Sequence, residues 1–492
     1  RHPHVLSVSE DTAVYGDQLS KVMAPAVPTT PVNLQQTVGV LHYNPNASLM
    51  PYEDGLGVGV AIIDSGIAPR ADLAGRIVAF RDFTSGVEQV VPPVDGYGHG
   101  THVASIVAGS GALAGYNQSY QGVSNLVSLI GLRVLNNQGQ GSASHVIAAI
   151  QWAVANRTAY NIKVINLSLG HPIFEAAATD PMVQAVEAAV RAGITVVSSA
   201  GNYGQSPTTG AVGYGGISSP GNAPSAITVG ALKTQDTTTR TDDLVAAYSS
   251  RGPTWYDGIA KPDVVAPGHR LLAAAATSQT LYTNYPSNRQ TLGGRPYLRL
   301  TGTSMATAVV SGAVALMIEQ ARAIYAVKPT PNTVKAMLQH SALSMTDASA
   351  PYDALTQGAG AVNPAGALEL AQAIDPRVPV NSNWLVASVT QSTAIDGQHI
   401  VWGEHIVWGE HIVWGESLYT HRTAWATSVV WGDAAAWGQP FTDIPIVWGG
   451  QIAWDQHIVW GEHIVWGNNL SLIHISEPTR RTPISYAVFC LK

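Results

Sequence analysis

Cysteine is all but absent from this chain: one in 492 residues, Cys490, close to the last position. A disulfide within the chain is therefore excluded, and no thiol chemistry can be assigned to its body. The redox compartment is not legible from cysteine usage. Charge is scarce as well. Asp, Glu, Lys and Arg make up 12% of residues, about half the usual share of a soluble domain, and the net charge of −7 argues against a nucleic-acid partner. No apolar run reaches the roughly 18 residues needed to span a bilayer. Nor does Arg1 open a charged-then-apolar leader, so any signal peptide would lie upstream. What is plentiful is Gly (48) and Pro (29), the residues of turns and of close backbone approach.

Between about residues 55 and 375 short apolar runs alternate with helical patterns, which predicts a doubly wound α/β fold: a mainly parallel sheet with helices on both faces. "GVGVAIID" lacks polar alternation, as a strand buried on both faces should, and ends at Asp64. "DPMVQAVEAAVRAG" predicts a helix capped by Asp180, with Pro181 in its first turn and Gly193 as its stop. "ITVVSSAGN" reads as the next strand, ending at Asn202. "SHVIAAIQWAVANR" and "VINLSLG" make another helix and strand, and "SAITVGAL" a further strand.

Reactive groups in an open parallel sheet collect beyond the carboxyl ends of its strands. Three candidates sit there. Asp64 ends an apolar run, His99 lies in "DGYGHGTHVAS", and Ser304 opens the helix "TSMATAVVSGAVALM", which is apolar on nearly every side. Together they can form a nucleophilic relay, in which His takes the Ser proton and Asp orients the imidazole. Each has a plainer alternative: Ser304 as a helix cap, Asp64 as a turn cap, and His99 with His102 as metal ligands at a spacing of three. No third ligand is evident, and His102, followed by Val103 and Ala104, reads as a satisfied inner histidine.

"AIIDSGI", "GHGTHVAS" and "GTSMATAVVSG", in that order, resemble the three active-site motifs of the subtilisin-like serine proteases, the subtilases. "INLSLG", "SSAGNYG", "YSSRGPT" and "KPDVVAPG" extend the likeness over residues 55 to 375. The resemblance implies an exported endopeptidase with Asp64 orienting the base, His99 as base and Ser304 as nucleophile. It implies Asn202 as an oxyanion donor beside the Ser304 backbone N–H, though alone Asn202 would read as a turn residue. It also implies peptide substrates added as a strand against Gly139, Gln140 and Gly141 on one side and Ser168, Leu169 and Gly170 on the other. Ala308 stands where the family usually has Pro, a change a helix tolerates. No cofactor is required by this chemistry, and no acidic loop is assignable to the structural calcium common in the family. A monomer that is secreted or held at a bacterial cell surface, acting on proteins or peptides, is the expectation.

The ends differ from this body. "HPHVLSVSED" resembles the last strand of the family's inhibitory propeptide, so residues 1–17 read as a propeptide remnant and transient inhibitor, self-cleaved between about Val14 and Pro31, and 18–54 as an extension. After a linker at 376–398, residues 399–469 carry tryptophan-rich hexapeptides, "HIVWGE" three times in a row and then degenerate copies. In an extended chain this even period puts Ile, Trp and Glu on one face, as in a β-type repeat packing its own Trp rows. A surface- or polymer-binding module is the other reading of these repeats, and a catalytically silent binding protein the other reading of the chain. Residues 470–492 drop the pattern and resemble translated sequencing adapter, a non-native tail.

Overall fold

A computed structural model describes residues 9–16, 34–40, 54–115, 120–206, 209–347, 350–378, 389, 392–395 and 398–402. Most of the repeats, the tail with Cys490, and residues 1–8 and 17–33 lie outside the described residues.

Elements follow in the order β1 (Ala13–Gly16), α1 (Leu34–Thr37), β2 (Gly59–Asp64), β3 (Ile77–Asp82), α2 (His99–Ala108), β4 (Ser128–Arg133), β5 (Gln140–Ser142), α3 (Ala143–Ala155), β6 (Ile162–Leu167), β7 (Leu169–Pro172), α4 (Pro181–Arg191), β8 (Thr195–Ser199) and β9 (Ser218–Ser219). The chain continues through β10 (Ile227–Lys233), β11 (Leu244–Val245), β12 (Val264–Pro267), β13 (Leu271–Ala274), α5 (Thr280–Asn284), β14 (Arg289–Leu292), β15 (Arg295–Leu300), α6 (Thr303–Tyr325), α7 (Pro331–His340), α8 (Ala354–Gln357), α9 (Pro364–Ala373), β16 (Ser392–Ile395) and β17 (Gln398–Val401).

The main sheet runs β11-β10-β8-β6-β2-β4-β3, with β12 also on β10, and every pairing but β10–β11 is parallel. Strand alternation divides its side chains between two cores. Val60, Ile62, Leu129, Val164 and Val197 face α2 and α6; Ala61, Ile63, Ile130, Ile165 and Val196 face α3 and α4. That is the doubly wound arrangement the apolar runs predict, and it explains why β2 has no polar alternation: all six of its residues are buried.

Helix α4 starts as expected, with Asp180 accepting from the Met182 and Val183 N–H groups and Pro181 in the first turn. Strand β8 is shorter than expected. It stops at Ser199 because Gly201, at φ +102°, turns the chain out of the sheet before Asn202. Helix α6 is long and apolar enough by composition to cross a bilayer, yet 94% of its apolar window is buried inside the protein, so its apolarity serves the core.

Candidate active site

Asp64 leaves the sheet at the carboxyl end of β2, with no exposure to solvent. Its carboxylate accepts from the Ser65 backbone N–H at 2.6 Å, as a turn cap would, and both oxygens lie 2.9 Å from His99 Nδ1. His99 is the first residue of α2 and equally buried. The approach of α2 to the β2 loop needs a glycine: a Cβ on Gly100 would come 2.1 Å from the Gly66 carbonyl oxygen and 3.0 Å from Asp64 Cβ. With Nδ1–H directed at the carboxylate, the lone pair of the neutral ring falls on Nε2.

Ser304 is the second residue of α6, which packs beside α2. The capping alternative for Ser304 is not what the structure shows. Gly302 occupies the cap position without a side chain, and the first turn is instead held by Asn202, whose Oδ1 accepts from the Thr303 N–H at 3.0 Å and from its hydroxyl at 3.2 Å. Ser304 Oγ lies 3.3 Å from the Ser168 carbonyl oxygen, while Ser168 Oγ lies 3.0 Å from the Ser304 carbonyl. The Asn202 amide nitrogen lies beside Gly302 as well, 3.2 Å from where a Cβ would stand there, so the whole side-chain amide sits against the start of α6.

His102 belongs to the core. Its Nε2 sits 3.1 Å from the Leu271 and 3.0 Å from the Leu298 carbonyl oxygens, and burial pushes its pKa down to about 3. The ring is neutral at ordinary pH, and its Nε2 is engaged by these two carbonyls, as the reading of an inner histidine expects. Among the described residues no three His, Cys, Asp or Glu side chains gather as a metal site.

The two predicted peptide-binding segments face each other across a third strand. Strand β1 lies antiparallel between β5 and β7, with Val14 opposite Gly141, Tyr15 opposite both Gln140 and Gly170, and Gly16 opposite Leu169. The Gly16 N–H donates to the Gly139 carbonyl at 3.1 Å. A Cβ on Gly16 would lie 3.8 Å from His99 Cγ, so this strand ends against the imidazole. Val14 is fully buried and Tyr15 is exposed.

One residue of the site escapes the motif reading. Asp95, buried and four residues before His99, gathers the N-terminus of α2. Its Oδ1 accepts from the Gly98 N–H at 2.7 Å, the Tyr97 N–H at 3.1 Å and Ser65 Oγ at 3.0 Å, and its Oδ2 from the Thr101 N–H at 2.8 Å and Oγ1 at 2.6 Å. Burial raises the Asp95 pKa, against the hydrogen bonds that lower it. Only the acidic residue at the head of "DGYGHGTHVAS" could have signalled this role.

The fold and site define a class first: an α/β protein that sets a buried Asp–His pair and a helix-borne Ser beside a strand-binding cleft. A family model for the subtilase family matches residues 55–362, and the chain belongs to that family. It is 39% identical over 318 residues to the serine protease AprX of Bacillus subtilis, covering 63% of this chain and 65% of AprX. It is 36% identical over 267 residues to subtilisin DY of Bacillus licheniformis (54% of this chain, 78% of that protein). Subtilisin E of Bacillus subtilis is 36% identical over 269 residues, which are 54% of this chain and 56% of that protein.

Proposed function

We propose that the chain is an exported serine endopeptidase that cleaves protein or peptide substrates through an acyl-enzyme on Ser304. The observation that carries this reading is β1: a peptide strand held between β5 and β7 that ends against His99. In the proposed reaction His99 Nε2 takes the Ser304 proton as Oγ attacks the substrate carbonyl, and Asp64 stabilises the imidazolium. The Asn202 amide and the Ser304 backbone N–H receive the negative oxygen. His99 then protonates the leaving amine, and water, deprotonated by the same imidazole, releases the acyl group. Main-chain pairing with Gly139, Gln140 and Gly141 and with Ser168, Leu169 and Gly170 gives affinity with broad sequence tolerance.

The same cleft supports reading residues 1–17 as a transient inhibitor. Strand β1 runs antiparallel to β7 as far as Gly16 opposite Leu169, the neighbour of Ser168, whose carbonyl oxygen lies 3.3 Å from Ser304 Oγ. Self-cleavage between about Val14 and Pro31 would follow from that placement. A fluorophosphonate probe tests the enzyme reading: labelling of processed protein that disappears in Ser304→Ala is expected, and unlabelled, correctly processed wild type would overturn it.

A further inference from the structure

The first tryptophan of the repeats is packed into the peptidase domain. Strands β16 and β17 form an antiparallel hairpin, with Thr393 opposite Ile400 and Ile395 opposite Gln398. Trp402, just beyond β17, is 1% exposed. Its Nε1–H donates to Thr393 Oγ1 at 2.7 Å, and its ring meets His340 of α7 edge-on with centroids 5.9 Å apart. Gly366 of α9 makes room for it, since a Cβ there would lie 3.0 Å from the indole Cε2. Ile400, on the same side of the strand, packs against the same core.

The residue before "HIVW" is also read. Gln398 accepts from the Arg240 backbone N–H at 3.0 Å and donates to the Thr238 carbonyl at 3.1 Å. A glutamate there could accept but not donate, and would set its charge against the Thr238 oxygen. Five "HIVW" copies occur in the chain. Three follow Glu404, Glu410 and Glu462, and two follow Gln398 and Gln456. The match around Gln456 is longer still: "QHIVWGEHIVWG" stands at 398–409 and again, unchanged, at 456–467.

We propose that the groove formed by α7, α9 and β16 is a binding site for the peptide unit Gln-His-Ile-Val-Trp, and that residues 456–460 of the same chain are its second, interchangeable ligand. The 53 residues between Trp402 and Gln456, at up to about 3.4 Å each, are ample to bring the second unit back. The repeats are on this reading ligands of their own peptidase domain, with Trp as anchor and Gln as the selector among copies.

Full-length chains test this. Trp402→Ala and Trp460→Ala singly should each lower Tm by less than about 2 °C, because the other unit fills the groove, while the double variant should lose at least about 5 °C. The synthetic peptide QHIVWGEHIVWG in excess should restore the Tm of the double variant. The same peptide with both Trp replaced by Ala should not, and one with its first Gln replaced by Glu should do so more weakly. A single Trp402→Ala loss equal to that of the double variant would overturn the exchange, and failure of the peptide to raise Tm would overturn the binding site. Rescue of Trp402→Ala that grows with protein concentration would overturn the same-chain occupant in favour of a second copy.

Discussion

Asn202 shows how one side chain is prepared by its neighbours. Its Oδ1 accepts from the Thr303 N–H and hydroxyl, which fixes the amide beside the start of α6, and in the proposed reaction a donor so held would act on charge that develops in the transition state. Asn202→Ala should therefore lower kcat by about 10²–10³ with little change in KM, a magnitude taken from a subtilisin's equivalent amide. Steady-state kinetics on one peptide substrate checks this, and equal effects on both constants would remove Asn202 from the oxyanion site. His102 supports a second prediction at this scale. Its folded pKa of about 3 lies below the ordinary value near 6.5, so in that window the unfolded chain binds the extra proton. The stabilisation by neutral His102 is complete above about pH 6.5 and is lost as pH falls toward 3. The Tm deficit of His102→Gln relative to wild type should accordingly be largest at pH 7 and shrink at pH 5, as measured by thermal unfolding at both values.

Helix α2 and strand β1 carry the predictions that belong to elements. The N-terminus of α2 has no capping side chain at Gly98; Asp95 performs that work from three residues upstream while also holding Ser65 Oγ. Asp95→Ala should cost about 1–3 kcal/mol of stability and lower kcat/KM, because the same turn positions His99. Unchanged kcat/KM well below Tm would limit Asp95 to a structural role. For β1, the proposed self-cleavage predicts an active protein whose N-terminal residue falls between about Val14 and Pro31, by N-terminal sequencing, with Ser304→Ala remaining uncleaved. Of these elements, α4, β2 and β6 were legible from caps and apolar runs. The place of β1 was not legible: the likeness to a propeptide strand falls on residues 2–11, ahead of β1, and the two partners of β1 lie more than 120 residues further along the chain.

At the scale of the whole molecule, segments from both ends meet on one flank of the domain. Arg240 joins them: its guanidinium donates to the Thr37 carbonyl of α1 at 3.0 Å and to Asp243 at 2.8 Å, and its backbone N–H meets Gln398 of β17. Both members of the Arg240–Asp243 pair are buried, with side-chain exposures of 2% and 1%. Burial already pushes Asp243 up to about 6. Arg240→Ala leaves that carboxyl without its cation and should cost about 3–5 kcal/mol, read as a lower denaturation midpoint, while kcat/KM at low temperature stays as in wild type.

The chain by itself determined the parallel sheet, through apolar runs without alternation, and it marked Asp64, His99 and Ser304, because short motifs place these residues at strand ends and helix starts. It also determined that Ile400 and Trp402 share a face, since their spacing is even. Tertiary structure alone decided what that face meets, that Asp95 rather than a cap residue gathers α2, that Asn202 and not Ser304 closes the first turn of α6, and that Arg240 ties the two ends together. The physical reason is range. Apolar periodicity and caps are written within a few residues, whereas a buried hydrogen bond or an indole's socket needs partners that only the folded chain brings within about 3–6 Å of one another.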